Sequence, residues 1–326
     1  MGTGPIFVAG LERSGTSLMY ALLASHPRIS MTRRTNLWRH FYDQYGDLAN
    51  PANLDRCLET MRRYKRLVVL HVDWDQVRRD FPAGAPTYGR LFALIEQQHA
   101  DRMGRPRWGD KSLHTERYTS QVLEAYPDAR ILHMIRDPRD RFASSYARWK
   151  VRRGGVGAGT AEWLSSARIA LRNQQRYPDA YRAVRYESLA SEPEATLRGL
   201  CTFLDEEYSP QMVRMDDAPS LRDGGNSSYG VRRDKGISTS SVGRFREVLS
   251  PRQVAFMQWM AADEMAAFDY EPEPVEMAMS ARLGYVVRDV PFQAAHLLVW
   301  RTRESFRDRT GRPLRPSRLV NEEAAA

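Results

Sequence analysis

Cysteine is nearly absent. The 326 residues hold two, Cys57 and Cys201, at no metal-ligand spacing. A disulfide framework is therefore excluded, and a reducing, cytoplasmic setting is expected. The seven histidines form no HxH or HExxH cluster, so no metal site is expected. No apolar run reaches the roughly 20 residues of a membrane-spanning helix. No basic stretch followed by an apolar one opens the chain, so no signal peptide is read. Ile6 stands where a myristoylation signal needs Ser or Thr. There is no internal repeat and no recognised nucleic-acid motif. What remains is an ordinary globular composition, 42% hydrophobic and 27% charged, with a net charge of +9. Such a length suits one large domain with a sizeable core. The basic excess suits an anionic small molecule; nucleic acid, the rival partner, is not expected.

The first chemical signal lies near the N-terminus. The apolar run Pro5–Ala9 precedes Gly10-Leu11-Glu12-Arg13-Ser14-Gly15-Thr16-Ser17, and Leu18–Leu23 follows. This reads as strand, glycine-spaced turn and helix, which aims backbone amides and the positive helix end at a phosphate. The glycines keep the P-loop spacing, but Thr16 stands where an NTPase has lysine. With Arg13 inside the loop instead, Arg13, Ser14, Gly15, Thr16 and Ser17 become candidate ligands of a short anionic 5′ end. An ordinary strand–turn–helix connection is the plainer alternative.

A second such unit is Arg130–Ile135, followed by Arg136-Asp137-Pro138-Arg139-Asp140-Arg141 and a helix. Pro138 suits the first helical turn, where its missing N–H has no partner. Arg136 would sit at a strand's carboxyl end, where open α/β sheets bind ligands. Ser144 and Arg148 fall one helical turn apart on one face. The three together fit a second phosphate, although a salt-bridged helix start would have the same composition.

These two segments resemble those of the sulfotransferases that use 3′-phosphoadenosine 5′-phosphosulfate (PAPS). "PIFVAGLERSGTSLMYALLASHP" is similar to the family's 5′-phosphosulfate loop, above all in tyrosylprotein sulfotransferases and related bacterial enzymes. "ILHMIRDPRDRFASSY" is similar to its 3′-phosphate motif. "WGDKSLH", "VRYESLASEPEATLRGLCTFL" and "SVGRFREVLSPRQ" resemble further family segments, in family order over about residues 5–270. The resemblance implies PAPS as cosubstrate and sulfuryl transfer to an acceptor, a hydroxyl of a small molecule, carbohydrate or lipid. It implies charge-stabilising roles for Arg13 and Lys111. It also implies a place near the nucleotide for Tyr186, and a loop carrying Ser241 and Arg244 that folds back over PAPS. One departure concerns the catalytic base. Tyrosylprotein sulfotransferases carry glutamate shortly after the first helix, where this chain reads Thr32-Arg33-Arg34-Thr35. Arginine cannot serve as a base near neutrality. His114 is the substitute named here, with Asp110 and Glu12 as rivals. The paired arginines are candidates for holding an anionic acceptor.

Alternating strands and helices predict an α/β fold: a P-loop-type three-layer domain with a central parallel sheet flanked by helices. Expected strands are 6–9, 106–109, 131–135 and 182–185. Expected helices are 17–25, 53–64, 88–103, 116–125, 139–150, 161–176, 193–203 and 251–268. Residues 66–72 fit strand or helix, and the glycine-rich stretches 154–159 and 223–236 read as mobile loops. The sulfotransferase-like domain is expected to span residues 1–280, with 281–326 a C-terminal extension of helix and basic tail. Its preferred reading is a docking helix with a solvated tail. The rival is a peripheral contact with the inner face of the membrane. Rival functions for the whole are a P-loop small-molecule kinase, which would need the missing lysine, and a non-catalytic nucleotide-binding protein.

Overall fold

The computed structural model describes residues 1–149, 155–223 and 236–310. Five parallel strands form one sheet: β1 (Ile6–Gly10), β2 (Ile29–Arg33), β3 (Arg107–Lys111), β4 (Arg130–Ile135) and β5 (Tyr181–Arg185). Their spatial order is β2-β3-β1-β4-β5. Flanking it in chain order are α1 (Thr16–Ala24), α2 (Pro51–Arg62), α3 (Tyr88–Arg102), α4 (Thr119–Ala125), α5 (Pro138–Trp149), α6 (Gly155–Arg176), α7 (Pro193–Leu204), α8 (Pro251–Met260) and α9 (Ala262–Ala267).

Side-chain alternation along the strands sorts two cores, one on each face of the sheet. Phe7 and Ala9 join Trp108, Ile131 and Tyr181 against Leu91, Phe92 and Ile95 of α3. Ile6 and Val8 join Leu132, Met134 and Val184 against Met19, Leu22 and Leu23 of α1 and the leucines of α7. The result is the expected helix–sheet–helix layering.

The order matters for function. From β1 the chain crosses to β2 and returns through β3 on one side; β4 and β5 lie on the other. The carboxyl ends of β1 and β4 are thus the topological switch point, where an open sheet leaves a crevice. Both glycine- and arginine-rich turns of the sequence leave from these two ends.

Several expectations shift. Strand β2 was not anticipated: Ile29-Ser30-Met31-Thr32-Arg33 alternates, but over only five residues at a sheet edge. Strand β3 runs two residues beyond its expected end, because Asp110 and Lys111 pair with Phe7 and Val8. The ambiguous stretch holds a short helix, Lys65–Val68. The long C-terminal helix breaks at Ala261 into α8 and α9. Residues 155–159 are the start of α6 and not a loop. There the glycines allow contact: a Cβ on Gly157 would fall 2.0 Å from the Gln293 carbonyl oxygen, and one on Gly159 2.4 Å from the Phe142 ring. Residues 224–235, most of the other glycine-rich stretch, lie outside the described residues.

Gly109 sits in the sheet where a Cβ would meet Ile6 O at 2.5 Å and Met31 Sδ at 2.6 Å. The backbone neighbour cannot move aside without breaking the β1–β3 register. Gly109→Ala is expected to cost about 1–3 kcal/mol in urea denaturation. Gly199→Ala is the control. Nothing approaches that position within 4 Å, and α7 should gain up to about 1 kcal/mol from the better helix former.

Candidate active site

The loop from β1 to α1 is held in a shape that its glycines permit. Gly10 has φ 118° and Gly15 has φ 91°. A Cβ on Gly10 would lie 2.6 Å from Met134 O, and one on Gly15 would lie 2.5 Å from the Tyr186 ring. Arg13 adopts φ 69°, a left-handed conformation that costs a non-glycine residue energy. The amides of Gly15 and Thr16 find no acceptor among the described residues. They are the unanswered donors of a helix start, and Gly15 as N-cap offers no side chain to answer them. Ser14 is buried within the turn, its amide bonded to Leu11 O at 3.3 Å, and Ser17 lies in the first turn of α1.

The second motif closes onto the first. Arg13 Nε donates to Ser144 Oγ on α5 at 3.0 Å. Arg136 Nη1 donates to Arg13 O at 3.1 Å, and Arg141 Nε donates to Glu12 O at 3.1 Å. Arg136 Nη2 reaches Ser241 O at 2.6 Å, while its guanidinium lies 4.5 Å from the centre of the Tyr186 ring. The Tyr186 hydroxyl and Ser241 Oγ are 2.8 Å apart. Asp140 fixes the segment that follows: its carboxylate accepts from Gly243 N at 2.7 Å and Phe245 N at 2.9 Å. Arg13, Ser144, Arg136, Tyr186 and Ser241 therefore form one connected cluster. Arg136 Nε remains buried with no hydrogen-bond partner in the described residues. This unanswered donor, with the Gly15 and Thr16 amides, suits a polyanionic nucleotide.

Two further expected ligands lie on the same elements, Arg148 on α5 and Arg244 beside Gly243. Arg148 is exposed, one turn beyond Ser144, and its field acts on Arg34. Arg244 is half-buried, with Nε 3.4 Å from a Glu247 carboxylate oxygen.

On the other side of β1, Lys111 ends β3 and is only 4% exposed. Arg34 N donates to its carbonyl at 2.8 Å. Burial, then the neighbouring Arg34 charge, pushes the Lys111 amine down to about 8, against the pull of Asp110. Arg34, at φ 62°, is itself lowered by burial and by Arg66, Arg33 and Arg148. A patch of cations thus faces Glu12, the one acidic group acting on both Lys111 and Arg34 from the loop.

His114 occupies the turn after β3 at φ 68°. Its Nδ1 lies 3.9 Å from Glu116 Oε1 and has no hydrogen-bond partner. Burial pushes the imidazole down to about 4 although Glu116 opposes this, so it is neutral near pH 7. Glu116 went unnoticed in the sequence. Its Oε2 accepts from Gly10 N at 3.1 Å and anchors the start of the loop. Asp110 points to the other face of the sheet, where Thr32 Oγ1 lies 3.1 Å from Asp110 Oδ1 and 3.1 Å from Glu96 Oε1. Glu96 and Thr32 carried no local signal. They sit in a helix and an edge strand with no motif around them.

The family model described as "Sulfotransferase family" matches residues 5–210. A protein-tyrosine sulfotransferase A of Caenorhabditis elegans is 26% identical over 217 residues, covering 64% of this chain and 51% of the nematode protein. An uncharacterized protein of Aquifex aeolicus is 24% identical, covering 64% of this chain and 26% of that protein. The chain thus spans half the length of the first relative or less of the second. Among solved structures, the sulfotransferase domain of the Synechococcus PCC 7002 olefin synthase superposes with a TM-score of 0.59 at 20% identity, covering 83% of this chain and 95% of that domain. The sulfotransferase domain from the curacin biosynthetic pathway gives 0.55 at 16% identity, covering 83% and 99%. At such identities the superpositions speak for the fold.

Asp140→Ala removes the acceptor of two backbone amides, one of them, Phe245 N, buried. The expected loss is about 1–3 kcal/mol of stability. Amide exchange at Gly243 and Phe245 should accelerate more than exchange in β1. Equal acceleration everywhere would mean that Asp140 supports the whole domain and not this segment.

Proposed function

The chain belongs to the sulfotransferase family, and from that membership we propose an enzyme that moves a sulfuryl group from PAPS to an acceptor hydroxyl. The acceptor class is a small molecule, carbohydrate or lipid. One observation carries the reading: the 3.0 Å bond from Arg13 Nε to Ser144 Oγ joins two anion-suited strand ends at the switch point of the sheet. In this reading the 5′-phosphosulfate takes the Gly15 and Thr16 amides with Arg13, Ser14 and Ser17. The 3′-phosphate takes Arg136, Ser144 and Arg148. Tyr186, Ser241 and Arg244 cover the nucleotide. PAPS supplies the sulfuryl group: the acceptor oxygen bonds to sulfur as the bond from sulfur to the 5′-phosphate oxygen breaks, and that oxygen leaves with the electron pair. Arg13 and Lys111 are fixed cations for the charge that develops there, and such preorganised donors act without reorganising. His114 is the proposed base. Its neutral imidazole keeps a lone pair down to about pH 4; Glu12 is the alternative, since the rival Asp110 is buried on the other face of the sheet.

The reading needs no metal, and among the described residues no group of three or more His, Cys, Asp or Glu side chains could hold one. It invokes no nucleic-acid partner. It treats residues 1–280 as the catalytic unit and 281–326 as an extension. No helix of the described residues is long and apolar enough to cross a membrane. We take the enzyme to work in the cytoplasm, with peripheral contact at the membrane's inner face through the extension.

Incubation with sulfur-labelled PAPS and a cell extract is the direct test. Label should pass to a metabolite, with EDTA causing no loss. Activity that depends on Mg²⁺ and ATP would point to a kinase instead. Calorimetry should give 3′-phosphoadenosine 5′-phosphate about 30–700-fold tighter binding than AMP, the scale of one charged contact worth about 2–4 kcal/mol. Equal affinities would sink the two-phosphate site.

The Lys111 shift gives a pH dependence with a definite sign. A lysine whose pKa falls to about 8 loses its charge as pH rises through that value. With the free enzyme reported by kcat/KM, activity should decline above about pH 8. In Lys111→Arg that alkaline limb should vanish, because guanidinium stays charged. Lys111→Ala should lower kcat by about 10²–10³-fold. An unchanged limb in Lys111→Arg would remove Lys111 from the mechanism.

A further inference from the structure

Residues Met279–Gly284 (α10), Tyr285–Asp289 and Val290–Thr310 (α11) follow without a gap as α-helix, π-turn and α-helix. The inner side of this rod is well held. Leu297 is buried in a core with Phe142 and Phe256. Gln293 Oε1 accepts from Gly157 N of α6 at 2.9 Å. Glu304 is buried and pairs with Arg117.

The outer side is apolar. Of the thirteen exposed large apolar side chains among the described residues, six fall between 283 and 299: Leu283, Val286, Val287, Phe292, Leu298 and Val299. Leu283 is 69% exposed, Val287 68% and Phe292 57%. Single exposed apolar residues are normal on a soluble surface; this concentration on one rod is not. The π-turn accounts for their phasing. In an unbroken α-helix the stripe 283/287 would continue at 290, 291, 294 and 298, of which 290 and 294 are half-buried. The outward positions are instead 291, 292, 295, 298 and 299. A π-turn inserts one residue and shifts the stripe by that amount, so both halves keep an inner face on the domain and an apolar face outward.

Charge identifies the occupant. Arg282, Arg301 and Arg303 are exposed along the rod, and Arg288, exposed too, is paired with Asp289. The acidic residues between 279 and 305 are consumed by the protein: Asp289 by Arg252 at 2.8 Å and Arg288 at 3.0 Å, Glu304 by Arg117. The sequence beyond adds Arg307, Arg309, Arg312, Arg315 and Arg318 against Asp308, Glu322 and Glu323. A second copy of the chain would bring like charges together. An anionic lipid surface offers apolar depth and opposite charge at once. We infer that the outward face of residues 279–305 is an interfacial anchor that lies in the headgroup plane of an anionic bilayer, inserting Leu283, Val286, Val287, Phe292 and Val299 while the arginines meet lipid phosphates. The inference deepens the peripheral contact of the functional reading and rests on it for orientation only. A domain anchored along α10 and α11 would act on acceptors that are held at, or diffuse along, the membrane surface.

The test is cosedimentation of the full chain with vesicles of phosphatidylcholine alone and of phosphatidylcholine with phosphatidylserine. Binding is expected for the anionic vesicles, with release as salt rises from about 0.1 M to about 0.5 M. The variant Leu283→Glu, Phe292→Glu, Val299→Glu changes only exposed positions, so its thermal melt should match the wild type. Its partitioning should fall at least about tenfold. Equal binding to neutral vesicles, no binding to either, or unchanged binding by the triple variant would each overturn the anchor. So would a dimer in sedimentation velocity that the triple variant abolishes. Calorimetry with 3′-phosphoadenosine 5′-phosphate on the same preparations separates the two readings. Nucleotide binding without vesicle binding fails the anchor alone, and the reverse fails the sulfuryl-transfer reading alone.

Discussion

One guanidinium organises the site. Arg136 bonds Arg13 O of the first loop and Ser241 O of the covering segment, and its flat face rests on Tyr186. Its own carbonyl accepts from Trp163 Nε1 at 2.8 Å, which fixes the end of β4. Three segments far apart in the chain thus share one planar cation. Lysine has the charge but neither the fork nor the flat face that these contacts use. The parallel sheet makes the arrangement possible, because β1 and β4 are neighbours whose carboxyl ends open on the same crevice.

The rest of the arginine-rich motif is scaffold, which explains why so much charge can be buried there. Arg139 pairs with Asp137 through two nitrogens and covers the Phe245 ring at 4.5 Å. Arg141 holds Glu12 O and the Glu162 carboxylate. Glu187 accepts from Asp137 N at 3.0 Å and Tyr270 OH at 2.8 Å. Buried ion pairs contribute little net stability, but removing one partner is costly. Their effect here is to give the first loop one conformation, with strained Arg13 held by its neighbours. The salt-bridged helix start describes Asp137, Arg139 and Arg141, while Arg136 and Ser144, the residues of the ligand-site reading, reach across to the first loop.

This division explains what was legible in advance. Strand–turn–helix units announce themselves locally, through an apolar run, glycine or proline at the turn, and a periodic helix. The meeting of Arg13 with Ser144 was not read in advance; it arises because two such units stand on neighbouring strands. The supporting residues had no local signal. Asp140 caps a segment 103 residues away, and Glu116 binds Gly10 across 106. Gly157 looked like loop composition because the helix that presses on it lies far along the chain. Strand β2 escaped because five residues of alternation at a sheet edge do not rise above chance, and with it went the placement of Thr32.

That strand also links two buried acids on the face of the sheet away from Lys111. The Thr32 hydroxyl carries one hydrogen, yet its oxygen lies 3.1 Å from carboxylate oxygens of both Asp110 and Glu96. If both acids were ionised, one would face a lone pair. One of them therefore holds a proton and donates it to Thr32. Glu96 is the better candidate: burial raises its pKa far, Asp110 adds repulsion, and its second oxygen has no partner. Burial raises the Asp110 pKa as well, against the hydrogen bonds from Ser112, Thr35 and Thr32 and the Lys111 charge. Asp110 pulls the Lys111 pKa up, opposed by burial and by Arg34 and Arg33. The amine settles at about 8, which leaves it about nine-tenths charged at pH 7. Through the Thr32 hydroxyl, strand β2 ties Asp110, the neighbour of Lys111 in sequence, to a second buried acid on the far face of the sheet.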